Sequence, residues 1–185
     1  IEAKHIDQII LSTNDEEIIR FADSKKSTKI VIHKRDERLA TSTTSTDELI
    51  QHALDLIPEG DILWTHTTSP FITAELYDKI ILQYYEALTQ GFDSLMTTSL
   101  IHGFIWDESA PINYDRTKEK WPRTQTIKPL HEINSGVFLN NSANYKSLKD
   151  RIGLKPYMYV LDKIDGFDID WEEDFKLAQE LWQHD

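Results

Sequence analysis

Short apolar runs of strand length alternate along this chain with longer segments whose apolar residues recur at helical spacing. That alternation restricts the fold to an α/β sheet with crossover connections. Residues 8–13 read as a buried strand and 29–33 as a second. Between them a helix is expected from Asp15 to about Lys25, with Asn14 as its cap. A polar loop from Lys34 to Ser45 leads to a helix over about 46–57, whose Leu49, Ile50, Ala53, Leu54 and Ile57 form one stripe. After a Pro58-Glu59-Gly60 turn, 61–66 reads as a central strand, and a long helix is expected over about 74–89. Further strands are expected at 93–99, 136–140 and 157–161, with a short helix at 145–148. Residues 101–135 are less regular and read as a loop or small β insert within a single domain spanning 1–185.

Composition narrows the function classes. The chain has 20 Lys plus Arg against 32 Asp plus Glu, a formal charge of −12, so polyanions such as nucleic acid and anionic membrane are repelled. Without cysteine, disulfides, thiolate metal sites and thiol catalysis are excluded. No apolar run approaches the roughly 18 residues needed to cross a bilayer, and no signal peptide is legible, which makes the cytoplasm the expected compartment. Basic residues do gather locally: Arg116, Lys118, Lys120, Arg123 and Lys128 fall close together, as binding a small anion requires. The chain opens on Ile1, in what reads as the end of a helix entering a strand, so an N-terminal piece is expected to be missing.

In open α/β sheets ligands sit beyond the carboxyl ends of the strands. The segments there are 12–15, 33–45, 66–70, 99–102 and 168–170, all rich in hydroxyls, His, Asn or Asp. Each such loop has a plain structural reading too, because these residues also cap helices and form turns. The most informative is Asp168-Ile169-Asp170. In extended chain the two Asp side chains share a face while Ile169 points the other way, and paired carboxylates repel unless a cation lies between them. Carboxylate oxygens are ligands for a hard ion such as Mg²⁺. Asp170 is equally placed to cap the following helix, with Glu173 three residues on.

Several segments, in order, resemble the acylneuraminate cytidylyltransferase family. Residues 11–18, Leu-Ser-Thr-Asn-Asp-Glu-Glu-Ile, are similar to its STDDEEI segment. Residues 34–41 resemble its RPAELA loop and residues 67–71 its QPTSPLR turn. Residues 121–125 and 132–138 resemble its R-x-Q and NGAIYI segments, and 168–178 resembles its terminal Asp-x-Asp and helix. The resemblance implies a Rossmann-like nucleotide-diphospho-sugar transferase fold, a mostly parallel sheet flanked by helices, here lacking the first strand and loop. It also implies transfer of CMP from CTP to the anomeric hydroxyl of a sialic-acid-like sugar acid, with pyrophosphate released, for surface polysaccharide biosynthesis. Mg²⁺ as cofactor and a homodimer follow from the same resemblance. Residue by residue, Asp168 and Asp170 match the metal-holding and catalytic positions. Arg35, Thr44 and Thr46 match positions lining the cytosine and ribose pocket. Arg123 and Gln125 match positions near the sugar acid, Arg123 also counting as catalytic, and Asn134 and His66 match further sugar-site positions.

Departures bear on the substrate more than on the reaction. His66 replaces the family's Gln, Ser42 replaces its Asp, and Asp36 stands where a Pro follows the Arg. The family's N-terminal basic loop has no counterpart here, so this polypeptide alone is expected to have little activity. Two other readings stay open: a transferase for another acid such as 3-deoxy-octulosonate, and a non-catalytic nucleotide-binding or scaffolding domain. Trp106 and Trp121 read either as core or interface aromatics or as a carbohydrate platform. His66 is a general-base candidate by placement alone, and Asn134 reads equally well as a turn cap.

Overall fold

In the computed structural model, which describes residues 1–183, strands and helices alternate as the apolar periodicity requires. The strands are β1 (Ile9–Thr13), β2 (Ile30–Lys34), β3 (Asp61–Thr65), β4 (Ser94–Ile101), β5 (Leu130–Asn141) and β6 (Pro156–Leu161). The helices are α1 (Glu16–Ser24), α2 (Thr46–Leu56), α3 (Ala74–Thr89), α4 (Ser142–Leu148) and α5 (Glu172–Trp182). β1 and β2 pair in parallel with Ile9 opposite Ile30, and a second sheet runs in the order β3-β5-β4-β6. β3 therefore terminates its sheet rather than lying at its centre. By contacts the chain forms two compact units, one of residues 1–64, 72–95 and 137–157, the other of 65–71, 96–136 and 158–185.

The first unit is built around α3 and a smaller core under α2. Leu76, Ile80, Ile81, Tyr84 and Ala87 form the buried stripe of α3, whose first turn is capped by Thr73. Ile50 and Leu54 of α2 pack with Ile62 and Tyr145. The Ser45–Glu48 capping box fixes the start of α2. α1 is capped by Asp15, whose carboxylate accepts from the Glu17 and Ile18 N–H groups, one residue later than the Asn14 expected. Asn14 instead reaches Glu37 through its side-chain amide, at 3.0 Å. The Asp93 carboxylate accepts the Leu154 and Lys155 N–H groups at 2.7 and 3.0 Å, and the Ser94 hydroxyl at 3.0 Å.

A polar cluster links β1, β2 and α2. The Ser12 hydroxyl lies 3.2 Å from His33 Nδ1 and 2.9 Å from His52 Nε2, with the imidazoles 5.1 Å apart. Burial, the neighbouring His33 and the Arg35 charge hold His52 below its ordinary pKa of 6.5, against a smaller opposing pull from Asp55. The unfolded chain thus takes up a proton at His52 before the folded chain does. Its contribution to stability is complete above the unfolded value and is lost as pH falls through 6.5 toward the depressed folded value. We expect the melting temperature of wild-type protein to drop between about pH 7 and pH 5. His52→Gln should shrink that drop in parallel scans; an unchanged slope would remove His52 from the account.

In the second unit, β5 begins at Leu130, six residues earlier than the Gly136 expected, so the irregular stretch ends sooner. That stretch carries an isolated bridge between Trp106 and Pro111 and a 3₁₀ turn at Thr124–Thr126. Within β5, Ser135 takes a left-handed conformation with φ 57°. Residues before it are largely exposed, and those from Gly136 to Asn140 are buried. Phe71 stacks near Phe167 and Trp182, with centroids 6.0 and 6.2 Å away. Asp170 does not cap α5. The Asp174 carboxylate accepts the Trp171 N–H at 2.8 Å and the Asp170 N–H at 3.2 Å, closing the first turn from inside the helix. This leaves the Asp170 carboxylate available for another role.

Candidate active site

A cavity of about 730 Å³ opens in the second unit, and Asp168 and Asp170 both line it. Ile169, between them, instead lines a smaller apolar groove of about 300 Å³ with Phe71, Phe175 and Trp182. The alternation expected of extended chain thus separates a polar from an apolar wall. The segment is held by a hydrogen bond from the Ile169 N–H to the Thr68 carbonyl at 3.0 Å.

The floor is a buried polar network. Asn134, 6% exposed, accepts the Thr97 hydroxyl at 2.7 Å and donates to Ser99 Oγ at 3.1 Å, and its Oδ1 also receives the Gly136 N–H. Gly166 is needed beside it. A Cβ there would lie 2.6 Å from Asn134 Nδ2 and 2.7 Å from Ser99 Oγ, so only glycine lets the chain pass. Asn134 is therefore fixed by partners on β4 as well as lining the cavity.

Asp168 has an unusual environment. Its Oδ1 is sealed from solvent and meets no hydrogen-bond donor among the described residues. A buried acceptor left unmatched costs about 1–3 kcal/mol, more when charged. This atom fits a cation: a divalent ion bound there would supply the missing partner, with Asp170 as a second oxygen ligand. Among the described residues no group of three or more His, Asp and Glu is arranged to hold an ion unaided. Phosphate oxygens and water completing the shell is the usual habit of Mg²⁺.

The cavity also brings in residues that the motif reading did not assign. Glu132, Asp174, His102 and Lys163 line it. Ser99 and His102 fall in a segment read as facing the ligand edge, although β4 continues to Ile101. Lys163 follows β6 on a turn whose sequence carries no motif. Other expected site residues lie elsewhere. Arg123 and Gln125 are exposed at the 3₁₀ turn and are not among the described residues lining the cavity, nor is His66, whose carbonyl accepts the Ser69 N–H at 3.3 Å. Arg35, Thr44 and Thr46 belong to the first unit. Arg35 Nε is buried with no hydrogen-bond partner among the described residues, while the Arg35 backbone N–H donates to the Thr13 carbonyl at 3.0 Å. The Thr44 hydroxyl donates to the Arg38 carbonyl at 3.2 Å, and Thr46 opens α2 at the surface.

No family model matches the chain. It is 25% identical to the N-acylneuraminate cytidylyltransferase of Escherichia coli O18:K1:H7 over 191 residues, covering 99% of this chain and 44% of that protein. It is also 25% identical to the pseudaminic acid cytidylyltransferase of Campylobacter jejuni over 187 residues, covering 96% of this chain and 78% of that one. The chain is thus similar, at about a quarter identity over nearly its whole length, to acylneuraminate and pseudaminic acid cytidylyltransferases. It spans less than half the length of its Escherichia coli relative. Solved structures agree on the α/β fold of this chain. The 4-diphosphocytidyl-2C-methyl-D-erythritol synthase of Anaerococcus prevotii superimposes with a TM-score of 0.62 at 20% identity, over 98% of this chain and 81% of that one. CMP:2-keto-3-deoxy-manno-octonic acid synthetase, solved with CTP, gives 0.60 at 11% identity over 98% and 83%. Among the described residues no helix is long and apolar enough to cross a membrane.

Proposed function

We propose that this protein transfers CMP from CTP to the anomeric hydroxyl of a sialic-acid-like sugar acid and releases pyrophosphate. The observation that carries the proposal is the sealed, unmatched Oδ1 of Asp168 beside Asp170 on a polar cavity large enough for a sugar acid. Relatives named as cytidylyltransferases for N-acylneuraminate and pseudaminic acid support the same reading.

Transfer at phosphorus depends on alignment and charge neutralisation more than on covalent help from the protein. Asp168 and Asp170 would hold a divalent ion, which when bound neutralises phosphate charge and polarises the P–O bonds. Asn134, locked by Thr97 and Ser99, presents a fixed amide to a polar substrate at no further ordering cost. Ile169 and Phe71 keep the other side of the Asp168–Asp170 segment apolar, which restricts water there. Arg35, with Thr44 and Thr46, is assigned to the nucleotide, and Arg123, Gln125 and His66 to the sugar; a homodimer in the cytoplasm, serving surface polysaccharide synthesis, completes the proposal.

Pyrophosphate release by the complete encoded protein, measured with CTP, Mg²⁺ and a panel of nine-carbon acids and 3-deoxy-octulosonate, tests it. Turnover is expected with a nine-carbon acid and is expected to stop on chelation. No turnover with any acid, or equal turnover without the metal, would overturn the reading.

A further inference from the structure

The cavity has an electrostatic problem. Glu132, Asp168, Asp170 and Asp174 line it, and a sugar acid is itself an anion. A metal at Asp168 and Asp170 offsets part of that charge, but in the proposed reaction it is engaged with phosphate. The carboxylate of the acceptor needs its own cation. Arg123, the residue whose motif suits that task, is not among the described residues that line the cavity.

Lys163 is the one permanent cation among the described lining residues. It sits on a turn closed by hydrogen bonds. The Asp162 carboxylate accepts the Ile164 and Asp165 N–H groups, both at 2.9 Å, and the Gly166 and Phe167 N–H groups close onto the Asp162 and Ile164 carbonyls, both at 3.0 Å. Gly166 then wedges that turn against Asn134 and Ser99 at the floor. Despite four carboxylates on the same cavity, Lys163 forms no ion pair with any described residue. A lysine carried on a closed turn, with its ammonium uncommitted, is suited to a ligand carboxylate, which it meets as a point charge with three rotatable donors.

We propose that Lys163 binds the carboxylate of the sugar acid and so selects acids over their neutral analogues. This rests on the cytidylyl-transfer reading for the identity of the acid, but its test does not depend on turnover. Binding of N-acetylneuraminate and of its methyl ester is measured by titration calorimetry or ligand-observed NMR. Wild-type protein should prefer the acid over the ester by about tenfold, the scale of a charge-assisted hydrogen bond. Lys163→Met should erase that preference by weakening the acid alone, and Lys163→Arg should restore most of it. In turnover, Lys163→Met should raise KM for the acid about tenfold, leaving kcat and the KM for CTP within a factor of about three.

An acid-to-ester preference unchanged in Lys163→Met, or a rise confined to the KM for CTP, would overturn the assignment. Failure of the underlying reading looks different: Asp168→Asn would then turn over as wild type does, whatever Lys163→Met shows. A Lys163→Met protein with an unchanged melting temperature establishes that the turn is intact.

Discussion

Asp168→Asn is expected to lower metal-dependent pyrophosphate release by the complete protein about 100-fold or more while leaving the melting temperature unchanged or raised. The two effects have opposite causes. The amide keeps the shape of the side chain but removes the charge that a divalent ion needs. The same removal relieves the protein of a desolvated carboxylate oxygen that meets no donor. A residue kept for stability would behave in the reverse manner, with a lower melting point and activity lost only in proportion to unfolding. Activity titrated against Mg²⁺ alongside a thermal melt separates these. A wild-type metal dependence in the variant would return Asp168 to a structural role.

The largest stability loss is expected in the first unit, for Gly153→Ala. A Cβ at Gly153 would collide with Asp93 Oδ1 and lie 2.6 Å from both Asp93 Cγ and Ser94 Oγ. Neither group is free to move aside. The Asp93 carboxylate is committed to the Leu154 and Lys155 N–H groups and to the Ser94 hydroxyl, and Ser94 Oγ accepts the Gly153 N–H at 2.9 Å. Relief requires breaking several of these bonds at once. The expected cost is about 3 kcal/mol, the upper part of the range for overpacked sites. Equilibrium denaturation in urea should show a lower midpoint with an unchanged slope. A midpoint like that of wild type would mean that the turn relaxes without losing the Asp93 contacts.

Periodicity and turn chemistry made most of the elements legible. α3 begins and ends where its apolar stripe and the preceding Thr73 place it, because propensity, cap and burial agree there. The start of β5 was hidden because His131, Glu132 and Ile133 are largely exposed, and an exposed strand leaves no apolar run to read. At the helix starts, several Asp and Glu compete for the same N–H groups. At α1 Asp15 prevails over Asn14, and at α5 Asp174 caps from within, releasing Asp170. The same limit holds at the cavity. Asp168 and Asp170 could be found because alternation puts them on one face. Lys163 could not, since a lone lysine in a turn resembles any solvated surface charge until the fold shows what surrounds it.

The left-handed Ser135 divides one strand into two stretches with different room for substitution. Ahead of it the side chains of Glu132 and Ile133 are exposed and have room for exchange, whereas Asn134 is held by Thr97 and Ser99. Those beyond it are clamped on all sides and tolerate almost nothing. Such a boundary is expected to let the cavity wall vary at its exposed positions while the packed half of the strand stays as it is.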